Sequence, residues 1–186
     1  MLDALCQAIE SWWSVNSTDE SKAYSKKAIK NIKSNWEDYI FKNSDSSAEE
    51  IMQAANYAGR AINITATTAA HAMSYKITSL YKFPHGHAVA VCLPEVWKYI
   101  HGHIDDCIDQ RGRNYLDQTM QQISEEIDFN YFEEMLMKMN IGYPIASSKT
   151  DEVELLTKSV NPLRLKNTPV MLNTEVLKEM YRGIVR

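Results

Sequence analysis

Apolar residues recur every three or four positions through most of this chain, and only six glycines and five prolines interrupt 186 residues. That period is the helical one, since residues three and four apart share a helix face. No alternating or parallel-strand series competes with it. Leu2, Leu5, Ile9, Trp12 and Trp13 start the pattern. After the polar stretch Asn16–Glu20, where Ser17 or Thr18 is a candidate N-cap, a helix is expected from about Glu20 to Lys42. Asn43–Ser47 is a break, with Ser46 or Ser47 as the next cap. A long pattern rich in small residues then runs from Ala48 to about Tyr81. Pro84 restarts the chain, and Pro94 is expected to kink or end the apolar run Ala88–Leu93. Glu95–Ile108 is amphipathic. Shorter helices are expected at Tyr115–Glu125, Tyr131–Met139, Asp151–Ser159 and Thr174–Gly183. The expectation is one all-α domain over residues 1–186, a bundle of about seven to nine helices.

Composition narrows the function classes. A net charge of −4, with no basic run longer than Lys26-Lys27, does not indicate nucleic-acid binding. No apolar run reaches the ~18 residues that span a bilayer. Cys6, Cys92 and Cys107 are widely spaced and form no CxxC, as in reduced thiols of a cytoplasmic protein. No glycine-rich dinucleotide or phosphate loop occurs, and no His-Asp dipeptide.

What remains is a set of possible metal ligands. His71 lies in Thr67–Tyr75, and His85 lies fourteen residues later in Phe83-Pro84-His85-Gly86-His87-Ala88. Neutral imidazole is the commonest transition-metal ligand near neutral pH. Asp3 and Gln7 are four apart, hence on one helix face. Asp3 offers a carboxylate, and Gln7 a weaker carbonyl or a water-mediated contact. Each residue also has a plain structural reading. Asp3 suits a helix N-terminus, His71 a hydrogen-bonded core position, and His85 an exposed turn. His87 is read as a cleft residue facing the substrate or supporting a ligand. His103 and Cys107 could share a helix face but also read as a solvated helix end.

Four runs carry a family resemblance. They are Asp3–Ser11, Gly59-Arg60-Ala61-Ile62 with His71-Ala72-Met73-Ser74, Pro84–Ala88, and Leu93-Pro94. In order and spacing they resemble the C-terminal, all-helical, metal-binding domain of the iron-containing (group III) alcohol dehydrogenases, over nearly the whole chain. The resemblance implies a divalent metal, Fe2+ or Zn2+, on Asp3, His71 and His85. The position of a further ligand is taken by Gln7, a departure from the family's histidine. The glycerol dehydrogenase branch uses one aspartate and two histidines with water, so the trio is chemically sufficient. Some members carry a histidine where Tyr75 stands here. The Asp-Ala-Leu-Cys-Gln and Pro-His-Gly-His runs are similar to those of the branch that reduces small phosphonate aldehydes.

The implied activity is alcohol or aldehyde oxidoreduction by hydride exchange with NAD(P), with His87 lining the substrate pocket. The family's N-terminal nucleotide-binding domain has no counterpart in these residues. The expectation is therefore a second half, from a split or truncated frame or a fragment, inactive alone. It would act with a separately encoded nucleotide-binding half and would tend to homo-oligomerise. The alternative is a degenerate, non-catalytic helical oligomerisation domain. A stand-alone metal hydrolase is a third reading, weakened by the lack of an evident second carboxylate base.

Overall fold

The computed structural model describes residues 1–186. Ten α-helices and one 3-10 turn make up the chain, with no strand. They are α1 (Leu2–Trp13), α2 (Asp19–Phe41), α3 (Asp45–Thr65), α4 (Ala69–Tyr81), α5 (His85–Gly102), the 3-10 turn Ile104–Asp106, α6 (Arg113–Glu126), α7 (Phe129–Lys138), α8 (Lys149–Ser159), α9 (Pro162–Leu165) and α10 (Thr174–Ile184). The class is the all-α bundle that the periodicity predicts. No helix is long and apolar enough to cross a membrane.

α1 is the axis of the bundle and packs against α2, α3, α5 and α6. Its residues are buried except Asp3 and Gln7. A helix enclosed on nearly all sides needs apolar residues all round, which Leu5, Ile9, Trp12 and Trp13 supply. Ala54, Ala58 and Ala61 of α3 are fully buried and let neighbouring backbones approach. Trp13 meets Trp97 of α5 edge to face, with ring centroids 5.7 Å apart. Tyr181 of α10 donates to the Met73 carbonyl of α4 at 2.8 Å, pinning the last helix to the fourth.

Three details differ from the pattern. Ala48–Tyr81 is two helices, because Ala66 takes a left-handed φ of 55° and α4 begins anew at Ala69. Ser14 and Asn16 donate to the Thr65 carbonyl at 3.3 and 3.4 Å, and Asn167 donates to the Thr67 carbonyl at 3.0 Å. Polar groups distant in sequence thus take the carbonyls that a continuous helix would bond. Pro94 does not end α5, which runs through it. The cost of a proline inside a helix, about 3 kcal/mol, is offset by burying Ala88–Leu93, Val96 and Trp97 on both sides of it. The cap of α3 is Ser44, which accepts from Ser47 N at 3.3 Å, rather than Ser46 or Ser47. Thr18 caps α2 with a reciprocal bond from Ser21.

Arg111 fastens the loop after α1. Its guanidinium donates to the carbonyls of Ser14, Val15 and Ser17 at 3.0, 3.0 and 2.6 Å and pairs with Asp109 at 2.6 Å. The Asp109 side chain is 4% exposed. Burial pushes its carboxyl up, but the Arg111 hydrogen bonds outweigh this and leave it below its ordinary value. A depressed folded pKa contributes stability above the unfolded value, about pH 4, and loses it as pH falls through the folded one. Arg111→Ala should therefore cost about 3 kcal/mol at neutral pH and remove this contribution to acid sensitivity. Urea unfolding across pH 3–7, a range set to bracket that titration, measures both.

Candidate metal centre

Three helices bring three side chains to one point. Asp3 comes from the first turn of α1, His71 from the first turn of α4, and His85 is the first residue of α5. Their ligand atoms lie within 4.8 Å of one another. Asp3 Oδ1 is 3.3 Å from His71 Nε2 and 3.6 Å from His85 Nε2. The two imidazoles stand edge to face at 5.5 Å. His71 is buried, whereas the Asp3 and His85 side chains are 38% and 39% exposed, so the cluster has a closed back and an open front.

The approach of α5 to α1 depends on a missing side chain. A Cβ on Gly86 would lie 2.9 Å from Asp3 N and 3.1 Å from Asp3 Cβ. Only glycine lets the first turn of α5 sit on the start of α1 and bring His85 to Asp3.

Glu10 is the residue that sequence reasoning misses. It is fully buried two turns along α1 from Asp3. One carboxylate oxygen, Oε2, accepts from His71 Nδ1. The other, Oε1, accepts from Thr68 Oγ1 at 2.6 Å and from the backbone amides of Thr68, Ala70 and His71 at 3.1, 3.0 and 3.3 Å. Those amides open α4 and have no helical partner, and Thr68 itself makes no side-chain cap. Glu10 therefore caps α4 from another helix and fixes the tautomer of His71, leaving Nε2 to face Asp3. The one available signal was an acid amid the apolar positions of an otherwise enclosed helix.

Electrostatics follow from this arrangement. Burial works against charging His71, but the Glu10 and Asp3 carboxylates outweigh it and raise its pKa to about 9. The His71 hydrogen bond holds the Asp3 carboxyl below its usual value, against its partial burial. This is an anionic pocket with imidazole nitrogens at its mouth, suited to a divalent cation that displaces the proton.

The other candidates are placed differently. Gln7 stands beside the cluster and donates from Nε2 to Asp3 Oδ2 at 2.8 Å, orienting the carboxylate. His87 turns to the α7–α8 loop, where Nε2 donates to the Gly142 carbonyl at 2.6 Å and the ring stacks on Phe83 at 4.2 Å. Tyr75 stacks on His85 at 5.6 Å. His103 stacks on Tyr99 and donates from Nδ1 to the Tyr99 carbonyl, while Cys107 pairs its backbone with Val170, so these two form no ligand set. All three cysteines are free thiols.

Residues 1–184 match the Fe-containing alcohol dehydrogenase family, C-terminal region. The phosphonoacetaldehyde reductase of Streptomyces viridochromogenes is 33% identical over 126 residues, 67% of this chain and 32% of that protein. Among solved structures, the iron-containing alcohol dehydrogenase of Thermotoga maritima superposes with a TM-score of 0.77 at 25% identity, over 98% of this chain and 47% of that one. That of Thermococcus thioreducens shares the fold, with a TM-score of 0.84 at 23% identity over 98% and 48% of the two chains. The chain thus spans about half or less of the length of these proteins. It belongs to the iron-containing alcohol dehydrogenase family and corresponds to that family's C-terminal, all-helical domain.

Proposed function

We propose that this chain forms the metal- and substrate-binding half of a NAD(P)-dependent alcohol or aldehyde oxidoreductase. The observation that carries the reading is the convergence of Asp3, His71 and His85 where α1 has its two unburied residues. One carboxylate and two imidazoles suit Fe2+ or Zn2+, and three protein ligands leave a position free for substrate or water. When bound there, the cation supplies Lewis-acid polarisation of an alcohol or aldehyde oxygen, which favours hydride exchange with a nicotinamide.

The chain's own residues prepare this site. Glu10 holds the Nδ1 proton of His71, so Nε2 presents its lone pair. Gln7 occupies Asp3 Oδ2 and leaves Oδ1 toward the histidines. The closed back, built from α1 and α4, keeps water from the inner side of the cluster, and the open front at His85 admits a small alcohol or aldehyde. His87, two residues past His85 on α5, stacks on Phe83 just before that helix, which fits a part in lining the substrate pocket rather than holding the cation. The nicotinamide would come from a nucleotide-binding unit outside these residues. The reductase from Streptomyces viridochromogenes, named for a small aldehyde, supports the substrate class.

Three measurements test this reading. Metal analysis of the purified chain after anaerobic reconstitution should find near-stoichiometric Fe or Zn, and the double variant His71→Ala, His85→Ala should hold none while remaining helical by circular dichroism. Absence of metal from the parent would overturn the proposal. Glu10→Gln should weaken metal affinity by about 10–100-fold, measured by chelator competition, because an amide cannot accept as strongly from both His71 and the α4 amides. Gln7→His should raise affinity in the same assay by adding an imidazole next to Asp3. An unchanged or lower affinity would mean that position 7 does not face the cation.

A further inference from the structure

We infer that Arg164 receives an anionic group of the substrate and so sets the substrate class: short alcohols or aldehydes carrying a carboxylate, phosphonate or sulfonate at the end remote from the reacting oxygen. The inference rests on the metal reading above, which fixes where the reacting oxygen lies.

The geometry is a short column leading out of the cluster. Tyr75 lies nearly parallel to the His85 ring, 14° between planes and 5.6 Å between centroids. Arg164 lies over the Tyr75 ring, with its guanidinium carbon 4.9 Å from the ring centroid. One nitrogen, Nη1, donates to the Tyr75 hydroxyl at 2.9 Å. The guanidinium is thus two ring contacts from a candidate ligand, and both Tyr75 and Arg164 are exposed. That separation suits a substrate of a few carbons.

The arginine has donors to spare. A guanidinium carries five N–H groups in a planar fork that matches carboxylate and phosphonate oxygens. Tyr75 uses one, and Arg164 pairs with no carboxylate. Arg111 shows the contrast, since its donors are consumed by Asp109 and backbone carbonyls.

α9 adds only Leu165 to the edge of the core. It is four residues long, buries none of them, and leaves Leu163 67% exposed. Pro162 at its first position and the Asn161 side chain, which accepts from Leu163 N at 3.0 Å, fix the turn nonetheless. A turn pinned at its start, seated on the core through Leu165 and carrying a cation over Tyr75 is suited to position that cation.

The test is ligand-observed NMR titration of the zinc-loaded full chain with β-hydroxypropionate and with propanol, which differ by the carboxylate. Metal content is measured in the same samples. The wild type should bind β-hydroxypropionate at least about tenfold more tightly than propanol, the scale of one charge-assisted hydrogen bond. Arg164→Gln should lose that preference while keeping its zinc and its propanol affinity, and Arg164→Lys should restore part of it. A preference that survives in Arg164→Gln, or none in the zinc-loaded wild type, would overturn the inference. NAD+ is titrated in parallel, because its pyrophosphate offers the same anionic chemistry. Weakened NAD+ binding in Arg164→Gln with β-hydroxypropionate unaffected would reassign the arginine to the cofactor and overturn the substrate assignment. A wild type that holds no zinc would instead fail the metal reading, and the substrate assignment would fall with it.

Discussion

The carboxylate of Glu10 is the interaction on which the rest of the molecule hangs. It is buried without an ion-pairing lysine or arginine, a placement that is costly unless its lone pairs are filled. They are filled by the imidazole of His71, one hydroxyl and three backbone amides. The same amides are those that a new helix cannot satisfy by itself. One side chain on α1 therefore makes it possible to stop α3, restart α4 and aim His71, all at once. Fold and site are one construction here. Trp13, a turn further along α1, extends it by donating to Thr68 Oγ1 at 3.0 Å.

Much of this was legible in the chain. The helical period placed α2, α6, α7, α8 and α10 within a few residues of their ends, because each carries its own apolar stripe and its own break. Asp3, His71 and His85 were legible as candidates through their residue types and their family resemblance, and the structure brings those three together. The break inside Ala48–Tyr81 was not legible. Nothing in Thr65–Thr68 forbids a helix, and what ends it there are Ser14, Asn16, Glu10 and Asn167, each distant in sequence. Pro94 misled in the opposite direction. The local rule predicted a kink or an end, and the burial of Ala88–Leu93, Val96 and Trp97 keeps the helix running through it. Glu10 was invisible for a similar reason, since an acid on a helix normally reads as surface until its partners are known.

The two ends of the α1–α2 connection show how polar and apolar cohesion are divided. Apolar contact among Leu5, Ile9, Ile29, Ile32 and Trp97 gives the bundle its bulk stability. Arg111 and Asn167 add little area but fix loops. Asn167 reaches both the Thr67 carbonyl and, through its own carbonyl, Val15 N at 3.0 Å. The chain's later third thereby braces the end of α1 and the segment before α4, from which His71 projects.

Gly86 has a consequence for how such a site can change. The gap between α5 and α1 at the cluster is set by backbone touching backbone, not by side chains packed between them. Repacking therefore cannot widen or narrow it, and the inner geometry behaves as a fixed gauge. Variation is left to the outer rim, where Tyr75, Arg164 and the loop holding His87 are half-exposed or exposed and free to be exchanged. A lineage built on this domain would be expected to keep one inner geometry and diversify by rewriting its mouth.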